Sequence, residues 1–226
     1  MIEEASTRAM INLDIRRPTK DVVRLLFLGA HADDIEIGCG GTALRMIEEW
    51  QEVEVKWIVF CSNNDRKQEA AASAKAILSG ARSSEVIIKD FRDGFLPYTG
   101  KEVKEFFEQL KNRYQPDIIF THYRDDLHQD HRLLSELTWN TYRDHLILEY
   151  EIPKYDGDFG TPNFFFQISP ETCQRKISIL MDSFESQKSK HWFAPETFWA
   201  IARLRGMESG SRTQYAEGFY CRKGVL

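Results

Sequence analysis

The run Val22-Val23-Arg24-Leu25-Leu26-Phe27-Leu28 leads through Gly29 into Ala30-His31-Ala32-Asp33-Asp34, and the glycines Gly38, Gly40 and Gly41 follow. A short, nearly continuous apolar run suits a strand of a parallel sheet covered on both faces. An imidazole and two carboxylates at its carboxyl end suggest a metal site. A second strand-like run, Asp117–Thr121, is followed by Leu127-His128-Gln129-Asp130-His131. Two such endings, about a hundred residues apart, read together as one mononuclear metallohydrolase centre.

Outward from Val22–Leu28, strand-like and helix-like runs alternate. A helix is predicted from about Gly40 to Trp50, a strand over Val53–Cys61 and a helix from about Arg66 to Leu78. A strand over Glu85–Lys89 and a helix from about Lys101 to Tyr114 then lead to Asp117–Thr121. Val103, Phe106, Phe107, Leu110 and Tyr114 fall on one helical face, which marks it as core. After residue 145 the pattern changes. Leu146–Glu151 and Asn163–Ile168 read as strands separated by Pro153, Gly157, Gly160 and Pro162. Ser169-Pro170 is a helix start, with serine as cap and proline in the first position, and a further helix is expected from about Pro195 to Arg205. The expected fold is therefore α/β: a Rossmann-like parallel-sheet three-layer sandwich with a smaller C-terminal α+β portion. Residues 1–20 are expected to be an N-terminal arm, and residues 21–226 the single domain.

Composition narrows the partners. The chain has 226 residues, 42% of them hydrophobic and 29% charged, enough for one sizeable domain and short for two. A net charge of -5, mixed in sign along the chain, lacks the basic footprint that nucleic acid requires. Cys39, Cys61, Cys173 and Cys221 are widely spaced and suggest neither a disulfide framework nor a cysteine-rich zinc site, so a reducing cytoplasm is expected. There is no charged-then-apolar leader and no run near the roughly 20 apolar residues of a membrane span. A soluble, unprocessed chain is the expectation, with assembly into a homo-oligomer left open.

In an open parallel α/β sheet, ligands bind beyond the carboxyl ends of the strands. The loops at that edge hold His31-Ala32-Asp33-Asp34, Ser62-Asn63-Asn64-Asp65-Arg66, Arg92-Asp93 and His122 through His131, whereas the opposite edge carries no imidazole. Hydrolysis of an unactivated amide needs an activated water, stabilisation of an oxyanion and an acid for the departing amine. A divalent metal supplies the first two, and catalytic zinc usually keeps three histidine or carboxylate ligands. His31, Asp34 and His131 meet that count. Asp33 is then the free carboxylate that takes and returns the proton, His128, if protonated, faces the oxyanion, and Asp130 orients a histidine. Spacing alone does not separate the roles of the two neighbouring aspartates.

His-x-Asp-Asp with a following Gly-Gly pair, then His-x-Asp-His, resembles the LmbE-like (PIG-L) family of zinc-dependent de-N-acetylases. Arg66-x-x-Glu69, Arg205-Gly206 and Tyr215-Ala216-Glu217 extend the likeness over roughly residues 22–220. The resemblance implies His31, Asp34 and His131 as zinc ligands, Asp33 as general base and His128 as stabiliser of the transition state. It also implies one metal per chain, zinc or another divalent ion such as Fe2+, and an N-acetylated amino sugar or glycoside as substrate. Ala32 and Gln129 stand where the family most often has proline, which removes loop stiffness rather than a functional group.

Each signal has a plainer reading. An aspartate pair also makes turns and caps. His122, His145 and His191 are read as ordinary surface or core histidines. Gly38-x-Gly40-Gly41 lacks the full dinucleotide spacing and is expected to serve close packing at a helix start. Arg66, Arg92 and Asp93 are candidate substrate contacts, and equally ordinary loop residues. Trp192, Phe193, Phe198 and Trp199 read as core or subunit contact before a sugar platform. A metal-dependent phosphoesterase and a non-catalytic sugar- or nucleotide-binding module are the competing functions.

Overall fold

The computed structural model describes residues 21–50 and 52–225, so the expected arm over residues 1–20 lies outside the described residues. The elements run β1 (Val23–Gly29), α1 (Asp34–Trp50), β2 (Val53–Cys61), α2 (Asn64–Ile77), β3 (Ser83–Phe91), α3 (Gly100–Arg113), β4 (Ile118–His122) and α4 (Gln129–Thr141). They continue with β5 (Leu146–Tyr150), β6 (Phe164–Ile168), α5 (Pro170–Ser183), α6 (Pro195–Glu208) and β7 (Tyr215–Cys221). One seven-stranded sheet has the order β3-β2-β1-β4-β5-β7-β6. Its first five strands are parallel, and β7 pairs antiparallel with both β5 and β6.

Alternation along the central strands divides the apolar side chains between two cores. Leu25, Phe27, Val55, Trp57, Val59, Phe120 and Leu148 pack on one face with α1, α2, α5 and α6. Leu26, Leu28, Ile58, Phe60, Ile119 and Ile147 pack on the other with α3 and α4. Both faces of β1 are thus covered, which is why its sequence reads as nearly unbroken hydrophobics. The parallel order reverses between β1 and β4, where a crevice opens at the carboxyl ends of the strands. Phe27 lies opposite Phe120 in register, so the chain leaves β1 and β4 side by side at that crevice.

The structure corrects the sequence reading at three places. Helix α1 begins at Asp34, not near Gly40, so the glycines lie inside the helix, which kinks at Cys39 (φ −145, ψ 18). The kink frees backbone groups that two buried side chains satisfy. Lys176 Nζ donates to Ile37 O at 2.6 Å, and Glu217 accepts from Gly41 N (2.9 Å) and Thr42 N (2.6 Å). Gly38 is needed for close approach, since a Cβ there would lie 2.1 Å from Cδ2 of Tyr150. The alternation read from sequence stops at Thr121, yet α4 follows. His128 takes its N-cap position, and Gln129 is its first helical residue, a place that suits proline. Strand β7 was also unanticipated, because Glu217 and Gly218 interrupt its apolar pattern. Glu217 is buried there to cap the second half of α1. Among the described residues, no helix is long and apolar enough to cross a membrane.

Candidate metal centre

His31 leaves the end of β1 in a tight turn closed by its own backbone N–H donating to Asp34 Oδ2 at 2.6 Å. That bond draws the Asp34 carboxylate back under the His31 ring. His131 arrives from the first turn of α4. The atoms His31 Nδ1, His131 Nε2 and Asp34 Oδ2 are mutually separated by 3.1, 3.2 and 3.5 Å. Ligands bound at about 2.05 Å in a tetrahedron stand about 3.3 Å apart, so the trio has the dimensions of a zinc face.

Hydrogen bonding settles which nitrogens carry lone pairs. His131 Nδ1 donates to Asp126 Oδ2 at 2.9 Å, leaving Nε2 bare. His31 Nε2 faces Asp93 Oδ1 at 3.0 Å and Asp130 Oδ2 at 3.3 Å, leaving Nδ1 bare. Three lone-pair donors therefore point at one another in a buried place, which is repulsive unless a cation or proton sits among them. The protonation equilibria agree. Burial opposes charge on His31 and His131, yet the surrounding carboxylates, Asp34 foremost, outweigh it and raise both imidazoles above the ordinary value. Burial likewise opposes the Asp34 anion, and His131 and His31 nevertheless hold it well below the usual carboxylate range. The residues fit a divalent metal.

Asp33 points to the cleft beside this trio. Its Oδ1 is ion-paired with Arg66 Nη2 at the start of α2, and Arg66 itself also lines the cleft. His128 accepts from Asp130 N through Nδ1 at 3.3 Å, which places its hydrogen on Nε2. Burial and the neighbouring His131 lower its pKa. The ring is then a neutral N–H donor, whereas the sequence reading placed it at the oxyanion if protonated. Asp130 is pinned by Gly94 N (2.7 Å) and Leu96 N (3.1 Å) and aims Oδ2 at His31. Asp93 lines the cleft. Arg92 does not; its guanidinium lies 3.7 Å over the Phe95 ring.

Two members of the cluster were not anticipated. His122, set aside in the sequence, ends β4, is fully buried and stacks on His131 with ring centroids 3.9 Å apart. Its Nε2 accepts from Ala30 N at 2.9 Å, and burial, with His131 beside it, lowers its pKa to about 4. It is a neutral platform that fixes the His131 ring. Asp126 orients the same ring from below and also accepts from Lys154 Nζ at 2.9 Å. The available signal for both was position at the carboxyl edge of β4. The centre opens into a cleft of about 230 Å³ whose lining includes Tyr155, Gln187, Lys190 and Trp192. Of the four aromatics read as core or subunit contact, Trp192 faces this cleft, whereas Phe193 and Phe198 are buried.

A family model described as GlcNAc-PI de-N-acetylase (PIG-L) matches residues 26–142. An uncharacterized deacetylase of Escherichia coli K12, YaiS, is 26% identical over 168 residues, covering 69% of this chain and 88% of its own. Among solved structures, N,N'-diacetylchitobiose deacetylase from Pyrococcus horikoshii is 22% identical with a TM-score of 0.66, over 90% of this chain and 85% of that one. GalB from Pseudomonas putida KT2440, a 4-carboxy-2-hydroxymuconate hydratase, is 17% identical with a TM-score of 0.73, over 91% and 98%. At such identities these two structures speak for the fold alone, and the fold does not select the reaction.

Proposed function

Starting from the premise that this chain belongs to the GlcNAc-PI de-N-acetylase (PIG-L) family, we propose that it hydrolyses the N-acetyl group of an N-acetylated amino sugar or glycoside, releasing acetate and a free amine. His31, Asp34 and His131 would hold one zinc ion per chain, with ferrous iron as the alternative that the same donors accommodate. A metal so held supplies Lewis acidity toward the acetyl carbonyl and the attacking water.

The chain's own groups divide the proton work. Asp33, with Oδ1 occupied by Arg66, uses Oδ2 to take a proton from water as the carbon–oxygen bond forms. It returns that proton to the nitrogen as the carbon–nitrogen bond breaks, so the carboxylate is regenerated. His128 Nε2–H donates to the carbonyl oxygen as negative charge develops there. Asp126 and His122 hold His131, and Asp130 with Asp93 holds His31, so neither ring must reorganise during the reaction. Supporting this reading is the convergence of three bare donor atoms with one carboxylate left beside them. A binding module has little need of that fourth group. A two-metal phosphoesterase needs ions roughly 4 Å apart, each with its own ligands, whereas His31 and His131 converge on one point. The free thiols Cys39, Cys61, Cys173 and Cys221 support a reducing, cytoplasmic location.

The test is release of acetate and free amine from N-acetylglucosamine carried on nucleotide, thiol and lipid aglycones. Asp33→Asn is expected to retain the metal and lose about 10²–10⁴-fold in kcat. Near-normal turnover in that variant, with metal bound, would remove Asp33 from the mechanism.

A further inference from the structure

Behind the His31 ring the two carboxylates that hold it meet a buried thiol, Cys61, that the reaction leaves unused. Cys61 ends β2, directly beside β1, and its buried thiol is 4.0 Å from Asp130 Oδ2. The same oxygen is 3.3 Å from His31 Nε2, and Asp93 Oδ1 is 3.0 Å from that nitrogen. One donor atom from each of His31, Cys61 and Asp130 lies within 4.8 Å of the others. A tetrahedral ion bound to sulfur at about 2.3 Å and to oxygen or nitrogen at about 2.05 Å spaces sulfur and oxygen about 3.6 Å apart, and nitrogen and oxygen about 3.3 Å. The nitrogen–oxygen spacings match, and the thiol at 4.0 Å stands a few tenths of an ångström outside the bound spacing, a gap that rotation of the Cys61 side chain closes. Asp130 is already fixed by two backbone N–H groups, and Asp93, whose side chain is 65% exposed, stands where the cluster meets the cleft.

We propose that Cys61, Asp130, Asp93 and His31 Nε2 form a second, inhibitory site for a thiophilic dication such as Cd2+ or excess Zn2+. Thiolate favours soft ions over the harder ions that carboxylates and waters prefer. The inhibition follows from tautomerism. A neutral imidazole has one lone pair, and His31 presents it through Nδ1 only while Nε2–H is donated to Asp93 and Asp130. Capture of Nε2 by the second ion displaces its proton; as Nδ1 takes that proton up, the bond from Nδ1 to an ion held by the trio breaks, and the catalytic trio loses a donor. Burial pushes the Cys61 thiol up to about 12, so its proton leaves to water only as the sulfur–metal bond forms, with no change of oxidation state. The two sites therefore compete for a single ring. The inhibition rests on His31 serving the proposed reaction; the binding does not.

The experiment titrates the full-length, zinc-loaded protein with CdCl2 while recording the ultraviolet thiolate-to-cadmium charge-transfer band and acetate release. Wild type is expected to develop the band at one Cd2+ per chain in parallel with loss of activity. Cys61→Ser is expected to keep basal activity, show no band and require at least about tenfold more Cd2+ for inhibition. Asp93→Asn, a change at an exposed position that leaves the core untouched, is expected to shift the band to higher Cd2+ by a similar factor. Absence of the band in wild type, its persistence in Cys61→Ser through another thiol, or unchanged inhibition of that variant would each overturn the proposal. If the function reading fails instead, acetate release is absent throughout, while the band still reports on the cluster.

Discussion

Glu36 offers a quantitative test of how α1 is built. It lies in the first turn of the helix with no exposure, Oε1 accepting from Ser73 Oγ and Oε2 without a partner among the described residues. Burial pushes its carboxyl from 4.5 up to about 8, so folding near neutrality requires proton uptake. The sign follows from linkage. Because the folded pKa is the higher one, the stability associated with the protonated form is complete below pH 4.5 and disappears as pH rises through about 8. Each pH unit inside that window is worth about 1.4 kcal/mol. Glu36→Gln keeps the shape and the acceptor for Ser73 but has no proton to lose. Its stability relative to wild type is therefore expected to improve by about 3 kcal/mol between pH 5 and pH 8. Whatever constant difference the amide introduces cancels in that comparison. At roughly 2–4 °C per kcal/mol for a domain of this size, thermal or urea unfolding of both metal-free proteins at several pH values resolves it. A stability difference that stays flat across the window would refute the assignment of a buried, protonated Glu36.

Asp126→Asn weakens the acceptor that fixes the His131 tautomer. It is expected to lower metal affinity about 10–100-fold in a chelator competition while leaving kcat near normal at saturating metal. Unchanged affinity would show that Asp126 serves only Lys154. Gly38→Ala places a methyl group 2.1 Å from a Tyr150 ring carbon, and overpacking of this kind is expected to destabilise by about 1–3 kcal/mol. Because Tyr150 Oη donates to Leu28 O at 2.6 Å on β1, the displaced ring also disturbs the approach to His31. A denaturant midpoint equal to wild type would mean that the ring moves aside without loss.

Much of this molecule could be read from local pattern. The strands β1 and β4 carry nearly continuous apolar runs because helices cover both of their faces, and that signal survives in one dimension. The helices α2, α3 and α5 announce themselves by periodicity or by caps, as in Ser169 accepting from Thr172 N. Strand β7 escaped because its polar Glu217 is buried for a reason located in α1, some 175 residues earlier in the chain. The start of α1 escaped because its first turn is built from the same charged residues that mark the candidate site, which look like loop.

Residue identity and strand-end position were enough to nominate His31, Asp33, Asp34, His128, Asp130 and His131 as one group, since imidazoles and carboxylates at adjacent strand ends have few other reasons to coincide. Folding added the orientation of each ring. That Arg66 grips Asp33, that Asp126 and His122 hold His131, and that His128 donates as a neutral ring all depend on hydrogen-bond partners brought together from distant parts of the chain. Where a lone pair points is a property of three-dimensional neighbours, and no spacing along a polypeptide encodes it.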